Sequence, residues 1–311
     1  MEQRVNMNYS DPDFLLKAPL RELIFLANKV RKNYSVSSLE LCNIINAKSG
    51  SCSQDCKFCA QSSQNSAKVI TYTLKSKKEI VTAARRAKKI GAEKFGIVTS
   101  GNSLSSKELD ILISAVSEIK NKIAITVCAS LGALAKSQLE KLKEAGLSRY
   151  HHNIETSQNF YPQIVSTHSF KERVNTIKAA KEAGLEVCSG GIIGLGEGWQ
   201  DRIDMALFLR DLDVDSVPIN FLVPIKGTPL EANEPVSRKD ALRTICIFRI
   251  ILKNKIIKIA AGREMVLKGF QTRGFMAGAN GMLIGGYLTI KGRKLQEDYQ
   301  LIKKIEKAWK E

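Results

Sequence analysis

Three cysteines in one short loop are the residues of this sequence best suited to chemistry. Cys52, Cys56 and Cys59 follow the spacing C-x3-C-x2-C, which allows three thiolates to hold three corners of one iron–sulfur cluster. One iron then has no protein ligand and can bind a small molecule. A structural zinc loop is the alternative, but such sites normally use four ligands, and no fourth Cys or His lies nearby. The loop therefore favours a cluster with an open iron.

This spacing resembles the cysteine loop of the radical S-adenosylmethionine (radical SAM) enzymes. The resemblance implies a 4Fe-4S cluster whose open iron chelates the amino and carboxylate groups of S-adenosylmethionine, followed by one-electron cleavage of the sulfonium. Phe58, directly before the last cysteine, fits the same family, in which this ring lies near the adenine. The three cysteines are thus candidate catalytic and metal-binding residues, and Phe58 is a candidate cofactor-binding residue.

Length, charge and cysteine content narrow the class of protein. The 311 residues fit one α/β barrel, because barrels commonly run as single domains of about 250 residues or more. No apolar run reaches the roughly 18 residues of a membrane span, and the first residues do not open a secretory signal, so we expect a cytoplasmic protein. Seven cysteines fit metal ligands in a reducing compartment better than a disulfide framework. The net charge of +17 is spread over Lys-rich stretches with interleaved Glu, which favours a solvated surface over a nucleic-acid site.

The chain alternates predicted strands with predicted helices. Strands are predicted at residues 40–45, 94–99, 124–129, 149–154, 185–189, 216–221, 256–261 and 282–284. Eight strands alternating with helices predict an α/β fold, a parallel (β/α)8 barrel of the TIM type, over residues 38–311. Residues 1–37 are predicted as an N-terminal helical extension. Its apolar stripe at helical spacing consists of Leu20, Leu23, Ile24, Ala27 and Val30.

The predicted helices carry start and stop signals. Ser76 with Glu79, and Ser169 with Glu172, predict capping boxes at two helix starts. Three glycines lie just past a predicted helix and just before a predicted strand, where a left-handed C-cap is required. They are Gly91, Gly146 and Gly184.

Polar residues follow the predicted strands at the end where barrel enzymes place their active site. These residues are Cys128 on the third strand, His151, Asn153 and Glu155 on the fourth, Cys188 on the fifth, Asn220 on the sixth and Arg263 after the seventh. The three on the fourth strand share parity, so we expect all three to face the lumen. The glycine-rich run at residues 188–197 is predicted as a loop that either makes a tight turn or closely approaches a cofactor.

Seven motifs together resemble biotin synthase, a radical SAM family, from about residue 37 to residue 290. They are A-K-S-G-S-C-S-Q-D-C-K-F-C-A-Q-S at 47–62, H-N-I-E-T-S at 152–157, V-C-S-G-G-I-I-G-L-G-E at 187–197, S-V-P-I-N-F-L at 216–222, K-G-T-P-L at 226–230, A-G-R-E at 261–264 and F-M-A-G-A-N at 275–280. The resemblance implies two S-adenosylmethionine molecules that yield 5′-deoxyadenosyl radicals, hydrogen abstraction from dethiobiotin, and insertion of sulfur from an auxiliary cluster, 2Fe-2S in the family.

The same resemblance implies roles for individual residues. Cys128, Cys188 and Arg263 occupy three of the four auxiliary-cluster positions. Roles in binding S-adenosylmethionine and dethiobiotin are implied for a further set of residues. These are Glu155 and Arg173 for the ribose and carboxylate of the cofactor, Gly194 and Glu197 in the glycine-rich run for cofactor binding, and Asn153 and Asn220 for the ureido ring of dethiobiotin. A homodimer and a flavodoxin- or ferredoxin-type reductant are also implied.

The sequence departs from the family at four positions, one of which is Glu155 in place of the usual Asp. Gly96 stands where the second strand usually carries the first auxiliary-cluster cysteine, and Cys42 on the first strand stands where the family commonly has another residue. We therefore predict that Cys42 replaces the missing ligand, because inward-facing side chains in one barrel layer come from alternate strands. The alternative is that Cys42 is a small buried residue of the strand. The nuclearity of this cluster stays open. His151 stands in place of the usual Asn, as a lumen-lining substrate contact or a ligand.

Other functions account for less of the sequence. A hydrogenase maturase or a pyrrolysine-pathway mutase shares the cysteine loop but not the combination of Cys128, Cys188 and Arg263. A ferredoxin-like electron carrier closes its cluster with cysteines on every corner. His152 and His168 are predicted to have no functional role, and Cys246 is predicted to be a small core residue of a helix.

Overall fold

The computed structural model describes residues 11–34, 38–288 and 292–310, and within these ranges nine strand segments form one sheet with only parallel pairings. The segments are β1 (Glu40–Lys48), β2 (Lys94–Thr99), β3 (Thr126–Ser130), β4 (Arg149–His151), β5 (Glu186–Cys188), β6 (Gly191–Ile193), β7 (Ser216–Phe221), β8 (Ile256–Ile259) and β9 (Gly281–Leu283). The ends of the predicted extension, residues 1–10 and 35–37, lie outside the described residues.

The sheet closes on itself because β5 and β6 both pair with β7. β5 and β6 are two segments of one barrel strand, since β4 pairs with β5 and a bridge between Glu155 and Gly191 continues this contact to β6. Taken as one strand, they complete a ring of eight. The predicted parallel barrel of the TIM type is confirmed.

Helices surround the barrel and follow most of the strands. They are α1 (Pro12–Lys17), α2 (Leu20–Tyr34), α3 (Lys77–Lys89), α4 (Ser106–Lys122), α5 (Lys136–Glu144), α6 (Phe170–Glu182), α7 (Trp199–Asp211), α8 (Arg238–Leu252), α9 (Arg263–Leu267), α10 (Gln271–Met276) and α11 (Leu295–Lys310). The apolar faces of the helices and the outward-facing side chains of the strands form one continuous core. Among the described residues no helix is long and apolar enough to cross a membrane.

Local sequence signals set the helix ends as predicted. Ser76 and Ser169 each accept the N–H of the glutamate three residues on, and that glutamate accepts the serine N–H in return, so both capping boxes are confirmed. The predicted C-cap glycines all have a left-handed φ, which side chains with a Cβ rarely adopt. Their φ values are 81° at Gly91, 107° at Gly146 and 74° at Gly184.

The glycine-rich run corrects one prediction, because it contains the strand β6 as well as a loop. A Cβ on Gly190 would lie 2.0 Å from the Pro218 carbonyl oxygen, and one on Gly191 would lie 2.3 Å from the Glu155 carbonyl oxygen. The two glycines therefore allow neighbouring barrel strands to approach closely. The backbone that approaches Gly190 and Gly191 is that of the neighbouring barrel strands.

The helix α2 packs against α8 and α10 through its predicted apolar stripe, in which Leu23 and Ala27 are fully buried. Arg243 of α8 donates to the carbonyl oxygens of Leu15, Leu16 and Ala18, which fixes α1 and its junction with α2 to the same helix. The long helix α8 is therefore buried on nearly every face. Cys246 lies in α8 with no exposed surface, as predicted for a core residue.

Candidate functional site

A cavity of about 400 Å³ lies inside the barrel, and every strand contributes to its lining. We call the floor the part lined by Cys42, Lys94, Cys128, Arg149, Cys188 and Lys258. We call the mouth the part lined by Phe58, Asn153, Glu155, Arg173 and Asn220. Residues 151, 153 and 155 all line the cavity, as their shared parity predicts, although β4 ends at His151.

The cluster loop, residues 49–66, follows β1 and brings Phe58 to the mouth. Its backbone is irregular and is held by side-chain hydrogen bonds. Asn65 donates to the carbonyl oxygens of Cys56 (3.2 Å) and Cys59 (2.8 Å), and the Ser63 hydroxyl donates to that of Cys52 (3.0 Å). The three thiols are free. Among the described residues no three His, Cys, Asp or Glu side chains are grouped as ligands of a metal ion.

A carboxylate clamps the cluster loop to the segment that precedes α6. Asp55 accepts the backbone N–H groups of Ser166 and Thr167 at 3.0 and 3.1 Å and the hydroxyl groups of both at 2.5 and 2.8 Å. Burial acts to raise the pKa of Asp55, but these hydrogen bonds outweigh it and hold the pKa well below its usual range. The loop is therefore fixed at the mouth before any cluster binds.

An ion pair between Arg173 and Glu155 lies at the mouth. Arg173 Nη2 is 3.1 Å from Glu155 Oε1, Nη1 is 2.9 Å from His168 Nε2, and Nε donates to the carbonyl oxygen of Asn153. Both charged side chains are about nine-tenths buried, with exposed fractions of 12%. Glu155 has a φ of 68°, a conformation uncommon outside glycine and often found at functional sites. His168, predicted to have no role, thus orients Arg173.

Asn153 and Asn220 lie in the cavity with part of each amide already used. Asn153 accepts the Gly190 N–H (3.1 Å) and donates to Glu155 (3.2 Å). Asn220 accepts the Ala261 N–H (3.1 Å) and donates to the Gly191 carbonyl oxygen (3.2 Å). An amide has two N–H groups and two oxygen lone pairs, so each side chain is held in place and retains one donor and one acceptor.

Three thiols, those of Cys42, Cys128 and Cys188, line the floor. Burial raises the pKa of Cys42 to about 12 and also raises that of Cys128. Burial acts in the same direction on Cys188, but Lys258, a hydrogen bond with His151, and Arg149 outweigh it and lower the pKa of Cys188 to about 6. Cys188 is therefore the floor cysteine with the strongest thiolate character at neutral pH.

Lys258 lines the floor together with Lys94 and Arg149, whereas Arg263, the cation predicted there, does not. Arg263 is buried and bonds to Tyr287, Gln271, the Leu283 carbonyl oxygen and Asp298, and it does not line the cavity. Gly262, with a φ of 81°, turns the chain out of the barrel before Arg263 starts α9. Lys258 points inward from β8 and lines the floor with Cys42 and Cys188. Burial acts to lower the pKa of Lys258, but the charges of Cys42, Cys188 and Glu40 outweigh it and raise the pKa.

The space left by the absent second-strand thiol is partly filled by Ile44. A Cβ on Gly96 would lie 3.0 Å from Ile44 Cγ2, and both residues line the cavity. Cys42 precedes Ile44 on the same face of β1, since residues two apart share a face. The first strand therefore places a thiol and a methyl group next to the glycine.

Gly194 and Glu197 do not line the cavity. The Glu197 carboxylate accepts the N–H groups of Gly194 and Leu195 at 2.7–3.1 Å and the Arg202 Nε–H at 2.8 Å. These contacts fix the turn between β6 and α7 and leave Glu197 no free direction toward a ligand.

Two family models match the chain. The Radical SAM superfamily matches residues 48–209, and the Biotin and Thiamin Synthesis associated domain matches residues 218–306. The biotin synthase of Thermotoga petrophila is 50% identical over 289 residues, 93% of this chain and 95% of that protein. The biotin synthase of Thermotoga neapolitana is 51% identical over 271 residues, 87% of this chain and 97% of that protein. The chain belongs to the biotin synthase family.

Membership of this family, within the Radical SAM superfamily, implies a 4Fe-4S cluster and S-adenosylmethionine as cofactors. The structure is similar in fold to that of methylornithine synthase, with a TM-score of 0.82 and 21% identity over 96% of this chain and 92% of that one. Biotin synthases and methylornithine synthase thus share a barrel, and the likeness at this identity concerns the fold alone.

Sequence reasoning missed several residues of the site. They are Glu40, Lys94, Arg149, Lys258, His168 and Asp55. Alternation along β1, β2, β4 and β8 could have placed the first four inside the barrel, but charged residues are unusual at such positions unless paired. The contacts of Asp55 and His168 depend on loops that meet only in the folded chain.

Proposed function

We propose that this biotin synthase family member inserts sulfur into dethiobiotin by radical S-adenosylmethionine chemistry. The observation that carries the proposal is a single cavity with the cluster loop at its mouth, which contributes Phe58, and three thiols at its floor. At its mouth the cluster loop meets the Arg173–Glu155 pair, and its floor holds Cys42, Cys128 and Cys188. When bound, the site cluster supplies the electron that cleaves the sulfonium, and the auxiliary cluster supplies the sulfur.

The cluster loop suits the site cluster because its thiols are free and its backbone is already fixed. Cys52, Cys56 and Cys59 would each hold one iron, as cysteines do in such clusters. Burial raises the pKa of Cys56 and Cys59, so binding iron must remove protons from both thiols. The hydrogen bonds of Asn65, Ser63 and Asp55 hold the loop in shape without occupying a thiol.

Arg173 and Glu155 are placed to bind S-adenosylmethionine. A guanidinium matches a carboxylate through two parallel hydrogen bonds. The guanidinium of Arg173 is already oriented by His168 and by the Asn153 carbonyl oxygen. A carboxylate such as Glu155 accepts ribose hydroxyl groups. Phe58 lines the same part of the cavity and offers an aromatic face to the adenine.

Asn153 and Asn220 are placed to bind the ureido ring. A neutral ureido group has both donors and an acceptor, and each amide retains one donor and one acceptor for it. His151 lines the cavity beside these amides and hydrogen-bonds to Cys188, so we assign it to the boundary between the substrate and the floor. Apolar side chains line much of the rest of the cavity and exclude water from the reacting carbons of the substrate. They include Val98, Ile192, Leu222, Val223 and Ile225.

Cys42, Cys128 and Cys188 would hold the auxiliary cluster. Three free thiols and an ammonium suit an anionic iron–sulfur cluster. Lys258 stays protonated, and a protonated amine has no lone pair for iron, so Lys258 would pair with the cluster charge instead of ligating. Arg263 takes no part in this assignment, because its guanidinium is already bonded outside the cavity.

The test is anaerobic reconstitution of the full chain with iron and sulfide, followed by iron counting, Mössbauer spectroscopy and a single turnover with dethiobiotin. We expect two clusters, and biotin together with methionine and 5′-deoxyadenosine. Cleavage of S-adenosylmethionine without any biotin would contradict the proposal. Cys246→Ala is the matched control for cysteine substitutions, since Cys246 lies in α8 outside the cavity, and it should keep both clusters.

We also propose a flavodoxin- or ferredoxin-type electron donor, a homodimer and a cytoplasmic location. A low-potential protein donor suits a cluster that must deliver one electron, and a reducing compartment keeps all seven cysteines as thiols, as ligands require.

A further inference from the structure

Glu40 lies behind the floor of the cavity and contacts the cations that line it. Its Oε1 accepts from Lys258 Nζ at 2.8 Å and from Arg149 Nη1 at 2.9 Å, and its Oε2 is 3.9 Å from Lys94 Nζ. Cys42 Sγ is 3.6 Å from Oε1. Glu40 is 8% exposed and is not part of the cavity lining, so it can act on a bound group only through its neighbours.

The barrel makes room for these contacts. Glu40 and Cys42 lie two residues apart on β1 and so share the inward face. Gly281 pairs with both Glu40 and Lys258 across the adjoining strands, and a Cβ on it would lie 2.8 Å from Lys258 Cγ. The absence of a side chain at Gly281 therefore lets the Lys258 stem pass between the strands to reach Glu40.

The charges at the floor do not cancel locally. Three cations, Lys94, Arg149 and Lys258, face the buried carboxylate of Glu40, and Arg149 also pairs with the half-exposed carboxylate of Glu186 at 2.8 Å. Glu40 Oε1 lies 2.8 Å from Lys258 Nζ and 2.9 Å from Arg149 Nη1, and these two buried ion pairs keep the carboxylate charged. The remaining positive charge favours an anion at the thiols, and buried charges act over short distances with little screening.

We propose that Glu40 is a positioning residue that acts through Lys258 and Arg149: its negative charge offsets part of the positive charge at the floor and so lowers the reduction potential of the auxiliary cluster. This inference rests on the proposed auxiliary cluster at Cys42, Cys128 and Cys188. The reduction potential of such clusters depends on nearby net charge and on hydrogen bonds to sulfur. Reduction adds an electron, so a lost negative charge at Glu40 favours the reduced cluster, and a lost positive charge at Lys258 disfavours it.

The test compares reduction potentials in reconstituted full-length protein by a redox titration followed by electron paramagnetic resonance. Glu40→Gln should shift the auxiliary potential to more positive values, and Lys258→Met should shift it to more negative values. The auxiliary potential of the double variant should be more positive than that of Lys258→Met. The site cluster at the mouth is the internal reference, and its potential should stay unchanged in every variant.

Glu186→Gln is the matched control. Glu186 also binds Arg149, at 2.8 Å, but its side chain is 48% exposed and solvent screens its charge. This variant should shift the auxiliary potential far less than Glu40→Gln.

Shifts of the same sign in Glu40→Gln and Lys258→Met, or equal shifts at both clusters, would overturn the inference. If Glu40→Gln does not fold, the potentials of Lys258→Met and of the double variant decide whether the inference holds. If both variants that change Glu40 fail to fold, Glu40 is purely structural and the inference is overturned. A wild-type protein that binds iron only at the cluster loop would instead contradict the proposed function, which separates the two failures.

Discussion

The cluster loop at the mouth of the cavity and the floor each carry three cysteines, but the two regions are built in opposite ways. The mouth thiols follow one another in a single irregular loop, held by side-chain hydrogen bonds from Asn65 and Asp55. The floor thiols come from β1, β3 and β5, where regular strand pairing fixes their directions. The mouth thus depends on local sequence, whereas the floor depends on closure of the barrel.

Because of this difference, the two regions should differ in how well they tolerate substitutions. A loop held by several polar contacts can lose one and keep its shape, since a typical hydrogen bond contributes only about 0.5–1.5 kcal/mol. A floor assembled from separate strands has no alternative way to supply a missing thiol or charge. Gly96 has no side chain on β2, and the neighbouring strand β1 carries the Cys42 that we propose in place of the missing thiol.

The largest expected effect is at the mouth. Cys52→Ala, Cys56→Ala and Cys59→Ala should each abolish cleavage of S-adenosylmethionine and hence biotin formation, because each removes a ligand of the site cluster. Production of 5′-deoxyadenosine by the reduced protein measures this. Cys246→Ala should retain cleavage. If one of the three variants cleaves at the wild-type rate with a complete four-iron cluster, that cysteine is not a ligand.

A change at the floor should separate the two regions. Cys42→Ser should lose auxiliary-cluster iron and biotin formation while still cleaving S-adenosylmethionine, because it leaves the cluster loop untouched. Iron counting and product analysis on the same sample measure both. Full auxiliary-cluster iron in this variant would show that the floor does not need Cys42 as a ligand.

Substitution of the two amides at the mouth, Asn153 and Asn220, should have an intermediate effect, on the affinity for dethiobiotin. Asn153→Ala and Asn220→Ala should each weaken dethiobiotin binding by about 1–3 kcal/mol, the cost of leaving a buried polar partner unpaired. Calorimetric titration measures this, with Asn233→Ala as control, since Asn233 bonds to the Gly194 carbonyl oxygen outside the cavity. Unchanged affinity in both cavity variants would place the substrate elsewhere.

The smallest expected effect is loosening of the cluster loop. Asp55→Asn keeps the shape but removes the charge that accepts four hydrogen bonds from Ser166 and Thr167. It should lower the free energy of unfolding by about 0.5–1 kcal/mol, since solvent screens this partly exposed site. Denaturant titration of the iron-free protein measures it. Asp211→Asn is the control, because Asp211 is 66% exposed, and an equal loss there would remove any special role for Asp55.

Much of this protein follows from its sequence. Strand and helix periodicity gave the barrel, capping boxes and glycines gave the helix ends, and cysteine spacing gave the cluster loop. Inward parity also placed Cys42, Cys128 and Cys188 in one cavity. These features depend on neighbours a few residues away, so the physical preferences that produce them can be recognised along the chain.

The tertiary structure alone decided which cation meets the floor thiols. Arg263 lies within a recognisable motif, yet the left-handed Gly262 turns it toward Asp298, while Lys258 lies in an ordinary strand and reaches Glu40. Gly190 and Gly191 of the glycine-rich run likewise allow neighbouring strands to approach closely. Such outcomes depend on which side chains and backbones approach one another when the barrel closes, and those distances are set by packing between strands far apart in the sequence.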